Sequence, residues 1–143
     1  MRPQERMIPA GDIKKEDFVS RRRMIDPEFW SDEKIGTLSL LSRLMFIGIW
    51  NFADDEGLIR FNENFIKANI FPYDEIDVAE IRKSMNDLIE KNFIFEYQGG
   101  ITKQKYAYVI KFHQYQKINR PQPSKLPAPS LQNSKVKEMY FSR

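Results

Sequence analysis

The chain has 143 residues, 41% hydrophobic and 13% aromatic, enough for one compact domain with tails. It has no cysteine and a single histidine, His113, which excludes disulfides and Cys-based zinc sites and predicts no metal centre and no cofactor. A net charge of +3 hides an asymmetry: residues 1–23 carry seven basic against four acidic side chains, residues 24–98 seven against fifteen, and residues 99–143 nine against one. An acidic body with basic ends points to a polyanionic partner met by the C-terminal part, with the N-terminal arm as a second candidate. The alternative is that the basic tails serve solubility alone.

Residues 1–23 read as a polar basic arm, mobile in isolation, that ends in Arg21-Arg22-Arg23. A globular domain is expected over residues 24–116. Near its start, Ser31 is a candidate cap for a helical turn over residues 32–35, with Phe29, Trp30 and Ile35 as a lid over the core. Eleven of the sixteen residues from Leu38 to Ala53 are apolar, too many for a single stripe, so this segment is expected to be a buried central helix. Ser39 is its candidate N-cap and Leu38 its staple, while Asp54-Asp55-Glu56 and Gly57 stop it.

Residues 57–61 are β-prone, and Asn62 is placed to cap a second helix that ends before Pro72. Val78, Ile81, Met85, Leu88 and Ile89 give one face of a third helix over about residues 77–92. Two β-rich runs follow, 93–98 and 105–112, and the six residues between them, with Gly99-Gly100, predict a projecting hairpin loop. The order helix, strand, helix, helix, hairpin is that of a winged helix-turn-helix. An α+β fold is expected, with a three-helix core, a small antiparallel sheet and flexible N- and C-terminal extensions. Residues 117–143 form the basic, proline-containing tail, for which Pro121, Pro123, Pro127 and Pro129 predict an extended, polyproline-like path.

Three stretches carry a family resemblance: the helix end Trp50-Asn51-Phe52-Ala53-Asp54-Asp55-Glu56-Gly57, the break Phe71-Pro72-Tyr73, and the exit Phe112-His113-Gln114-Tyr115-Gln116-Lys117-Ile118-Asn119-Arg120-Pro121. Through them, roughly Met24 to Pro127 resembles phage-encoded replication-initiation proteins with a DnaD-like N-terminal winged-helix domain. The resemblance implies a role in phage or prophage DNA replication: binding origin DNA, self-association, and help in bringing in a helicase or its loader.

Candidate DNA contacts fall in three places. In a helix-turn-helix the second helix of the motif enters the major groove, which here nominates Arg82, Lys83 and Asn86. That helix carries Asp77, Glu80, Asp87 and Glu90 against Arg82, Lys83 and Lys91, and the excess acid opposes deep insertion; the alternative is a scaffold helix. The hairpin supplies Lys103, Lys105 and Lys111, unless it is simply a solvated hairpin. The tail supplies Lys117, Asn119, Arg120 and Lys125 for phosphates or a narrow groove, with Gln122 as a further donor. Its alternative is to pack back on the domain or on a second subunit through Ile118 and the prolines.

Asp54-Asp55-Glu56 reads as a turn and not as a Mg²⁺ site, because adjacent acids rarely converge on one ion. His113 has no nucleophile or motif beside it, and no phosphate-binding glycine loop occurs, so the chain is not expected to be an enzyme. With no run of 18 apolar residues and no signal-peptide pattern, no membrane partner and a cytoplasmic location are expected. The expected function is DNA binding, to duplex, in replication initiation, with homo-oligomer formation possible for such a domain. The rivals are a protein-interaction module of a replication complex and a transcriptional regulator.

Overall fold

The computed structural model describes residues 20–129. Expectations for residues 1–19 and 130–143 lie outside the described residues. The fold is α+β, with helices α1 (Leu40–Phe52), α2 (Glu63–Ile70), α3 (Val78–Glu90) and the single turn α4 (Phe112–Tyr115). Strands β1 (Leu58–Arg60), β2 (Ile94–Gly99) and β3 (Gln104–Val109) form an antiparallel sheet in the order β1-β3-β2. The chain order anticipated from periodicity is the one found. Closure comes from β1, which pairs with β3 through Leu58↔Tyr108, Ile59↔Ala107 and Arg60↔Tyr106.

α1 and α2 begin at the caps nominated for them, and α3 begins after Asp77, which is its cap instead of its first residue. The Ser39, Asn62 and Asp77 side chains accept from the backbone N–H of Ser42, Phe65 and Glu80, which satisfies one otherwise orphaned donor per helix. The segment before α1 differs from expectation. Asp26 caps a 3₁₀ turn over Pro27–Ser31 by accepting from the N–H of Glu28, and Asp32, not Ser31, accepts from the N–H of Ile35 where a second 3₁₀ turn, Ile35–Thr37, begins. Phe29 and Ile35 do cover the core, but Trp30 stays 65% exposed with only its edge against Phe29.

The main core lies between the three helices and one face of the sheet. Met45, Phe46, Ile49 and Trp50 of α1 meet Ile66, Ile81, Met85, Leu88, Ile94, Ala107 and Val109 there. Trp50 sits edge-on to Phe29 and Phe46 and stacks on Tyr115 at 5.1 Å between centroids. Contrary to the buried-all-round expectation, α1 leaves Leu40 and Leu44 at 76% and 57% exposure, because only one side of it faces the sheet.

The other face of the sheet is covered too, by the chain's own continuation. Leu58, Tyr97, Tyr106, Tyr108 and Ile110 form a second cluster completed by Leu126. Gly57, just before β1, packs against the main core: its φ is +84°, and a Cβ there would stand 2.8 Å from Cβ of Phe112. Gly57→Ala therefore combines left-handed strain with a clash against a buried ring, an expected loss of roughly 2–4 kcal/mol. Denaturant melts read it directly, and an unchanged midpoint would contradict this packing.

Two hairpin expectations are corrected. Pairing runs to Gly99↔Gln104, which leaves residues 100–103 as the connection instead of six residues. Gly100 and Lys103 take positive φ to close it, so the hairpin tip is short. The second β-run ends at Val109, not Phe112, since Lys111 adopts a left-handed conformation and starts α4.

Candidate nucleic-acid interface

Built from the acidic turn outward, the site begins where α1 stops. Asp54 and Asp55 are buried. One oxygen of Asp54 accepts from the N–H of Glu56 and of Leu58, and the other accepts from the Ser124 hydroxyl. Burial pushes the Asp54 carboxyl above its ordinary value, against the pull of those three hydrogen bonds. Asp55 accepts from Arg23 on one oxygen and from the Gln122 N–H on the other, and Glu56 accepts from the Ser124 N–H. The expectation of a turn and helix stop is met, but the same three carboxylates also grip the C-terminal segment.

From there residues 122–127 run over the outer face of the sheet as a strap. Leu126 enters the tyrosine cluster, the Tyr97 hydroxyl donates to the Pro127 carbonyl at 2.5 Å, and Pro127 lies over Gly99, where an added Cβ would come within 2.8 Å of it. The path is extended, as four prolines predict. It is not a flexible extension through residue 129, because alternate residues are held by carboxylates, an apolar pocket and a tyrosine. The alternative reading, in which the tail packs back on its own domain, is the one the structure bears out for this stretch.

The candidate residues divide into two groups. Lys103, Lys105, Lys117, Asn119, Arg120 and Lys125 are all exposed, on the hairpin, the stretch leading into the strap, and the strap itself. Pro127 against Gly99 brings the Lys125 end of the strap to the hairpin tip that carries Lys103. Strand alternation puts Lys105 on the helix side of the sheet, with Ala107 and Val109, and its charge is felt by Glu63. Lys111 is exposed on the turn into α4.

Arg82, Lys83 and Asn86 are elsewhere, along a groove of about 860 Å³ between the start of α1 and α3 that Glu80, Asp87 and Glu90 also line. Lys83 is exposed there. Arg82 is not the exposed donor that the helical pattern suggested. Its Nε donates to Glu63 at 2.8 Å, and its Nη1 donates to Glu96 at 3.1 Å and to Asn86 at 3.3 Å, so it ties α2, α3 and β2 together. Only 22% of its side chain is exposed.

The hydrogen bond from Arg82 holds the Glu63 carboxyl below its ordinary range. A depressed carboxylate contributes stability above its unfolded pKa and loses it as pH falls through the folded one. Arg82→Gln should cost roughly 1–3 kcal/mol at neutral pH, the low side of a buried pair because solvent screens it. The gap between variant and parent melts should narrow below about pH 4; a gap independent of pH would rule out the ion pair as its source.

His113 is a structural contact, its Nε2 2.8 Å from the Asp55 carbonyl oxygen. Among the described residues no group of three metal-ligating side chains occurs, and no helix is long and apolar enough to cross a membrane. Sequence reading missed the grip of the acidic turn on Arg23, Gln122 and Ser124. The available signal was a run of three acids beside an apolar strand in a chain whose later segment is rich in donors.

No family model matches the chain, and no curated protein matches it. A solved structure described as "N-Terminal domain of DNA binding protein" is similar to it at 12% identity and a TM-score of 0.45, over 86% of this chain and 88% of that one. The architecture given above rests on its own element order and strand pairing.

Proposed function

We propose that this chain is a winged helix-turn-helix DNA-binding domain that holds duplex DNA mainly through the hairpin and the strap. The observation that carries the reading is the docking of the strap: it fixes a basic tail so that Lys125 on the strap, and Lys117 and Arg120 on the stretch leading into it, stand in fixed relation to Lys103 at the hairpin tip, with Lys105 on the other face of the same hairpin. Cations on a backbone that is already ordered neutralise phosphates without the cost of ordering that backbone at binding, and the released counterions supply affinity independent of sequence. α3 serves as scaffold, since Arg82 is held by two carboxylates and its outer face is mixed in sign. In keeping with the family resemblance, the setting is replication initiation in a phage or prophage. The test is a duplex titration across salt concentrations; a flat dependence of log K on log salt would remove the reading.

A second reading has one observation in its favour. Leu40 and Leu44, one helical turn apart on α1, are exposed apolar side chains on a helix whose other apolar side chains are buried or partly buried. They fit a protein-interaction module of a replication complex. Light scattering beside the DNA titration separates the two: a stable oligomer without DNA affinity favours the module.

A further inference from the structure

Arg23 and Gln122 are about a hundred residues apart in the chain, yet they meet on the two oxygens of a single carboxylate. Arg23 Nη2 donates to Asp55 Oδ1 at 3.1 Å, and the Gln122 N–H donates to Asp55 Oδ2 at 2.9 Å. A second clamp stands beside the first. The Gln116 side chain accepts from the Met24 N–H at 3.0 Å and donates to the Met24 carbonyl at 2.7 Å. The arm is also pinned from its other side, where Arg21 and Asn51 exchange a pair of hydrogen bonds of 2.8 Å each.

Arg23 is committed to this joint through Nε and Nη2. Besides Asp55 it donates to the carbonyls of Trp50 and Ala53, and its guanidinium lies 5.2 Å from the centre of the Phe112 ring. It thus neutralises both the buried Asp55 and the partial negative charge at the end of α1. Its neighbours Arg21 and Arg22 remain exposed, as do Lys117 and Arg120 in the stretch between the fixed points Gln116 and Gln122. Four solvent-facing cations therefore stand on two short segments anchored to the same carboxylate, whose own charge is already compensated.

Resting on the DNA-binding reading above, we infer that Arg21 and Arg22 form one phosphate-binding surface with Lys117 and Arg120, and that Asp55 is the positioning residue that assembles it. The described parts of the two basic ends are then not separate tails but two edges of one contact, continuous through the strap with the hairpin tip.

The full chain, Arg21→Gln/Arg22→Gln, Lys117→Gln/Arg120→Gln, Lys103→Gln/Lys105→Gln and Asp55→Asn are titrated with one duplex over a range of salt, well below their melting temperatures. Each double variant should reduce the slope of log K against log salt by about 1–2, since each lost phosphate contact accounts for about 0.9. Asp55→Asn removes a negative charge, which by electrostatics alone tightens DNA binding; as the joint it should instead weaken binding several-fold and lower the slope. An unchanged slope for Arg21→Gln/Arg22→Gln, while Lys103→Gln/Lys105→Gln lowers it, overturns the inference and leaves the DNA-binding reading standing. Tighter binding by Asp55→Asn overturns its positioning role. No salt-dependent binding by the unaltered chain overturns the inference and the DNA-binding reading together. The arginine pair is exposed and outside the core, so its result stands even if Asp55→Asn does not fold.

Discussion

Replacing Lys103, Lys105, Lys117, Arg120 and Lys125 together by glutamine should lower duplex affinity by roughly two to three orders of magnitude near physiological salt. These five phosphate contacts account for about 4 to 5 of the slope of log K on log salt, and the combined variant should keep only the share of about 1–2 that Arg21 and Arg22 supply. All five residues are exposed, so near-native melting is expected and serves as the control for folding. Lys83→Gln, on the far side of the helix layer, should change affinity by less than about threefold, one distant charge being largely screened. Equal losses from Lys83→Gln and from a strap lysine would mean that α3 meets DNA after all. Charge reversal at Arg82 is not a usable probe, because it places a third carboxylate beside Glu63 and Glu96 and attacks the fold instead of the interface.

Leu126→Ala should destabilise the domain by roughly 2–4 kcal/mol, a core-sized effect from a residue in a segment that composition alone marks as a tail. Leu126 is 8% exposed and seated among Leu58, Tyr97, Tyr106, Tyr108 and Ile110. For a domain of this size that loss lowers the melting temperature by on the order of 10 °C. A melt unchanged by the substitution would mean that the strap does not dock. The same contact decides how the tail's share in binding is to be measured. Cutting the chain after Gln116 uncovers the tyrosine face and frees the grip of Asp54, Asp55 and Glu56, so lost binding by that truncation mixes lost contacts with lost stability. Point substitutions at the exposed cations avoid the confusion.

Periodicity and capping made the helices and their order legible. Ser39 and Asn62 cap as their positions suggest, Asp77 proves to be the cap of α3 instead of a residue within it, and the steps between Ile81, Met85 and Leu88 mark the buried side of α3. What periodicity could not supply was pairing at a distance. Arg82 and Glu96 are fourteen residues apart and Arg82 and Glu63 nineteen, so a pattern confined to α3 shows a polar residue on an outer face and not an ion pair across three elements.

The strap left one readable trace. Tyr106-Ala107-Tyr108-Val109-Ile110 does not alternate between apolar and polar, as a strand with one wet face does. Its continuous apolar run requires cover on both sides, and Leu126 between prolines is the cover. For the candidate contacts, charge counting found the basic ends but had no means to show that one carboxylate joins them. A buried aspartate with both oxygens used is a fact of three-dimensional packing.

The clamp of Gln116 on Met24 has a kinetic consequence. It joins a side chain to a backbone position 92 residues away, among the longest closures within the described residues. The entropy of closing such a loop must be met before the contact rewards it, so this clamp belongs late on the folding path, after the helices and hairpin have condensed. Contacts absent from the transition state govern the rate of unfolding and leave the rate of folding nearly untouched. Gln116 thus acts as a brake on opening: the arm and the strap come away from the domain at a rate that this one amide helps set.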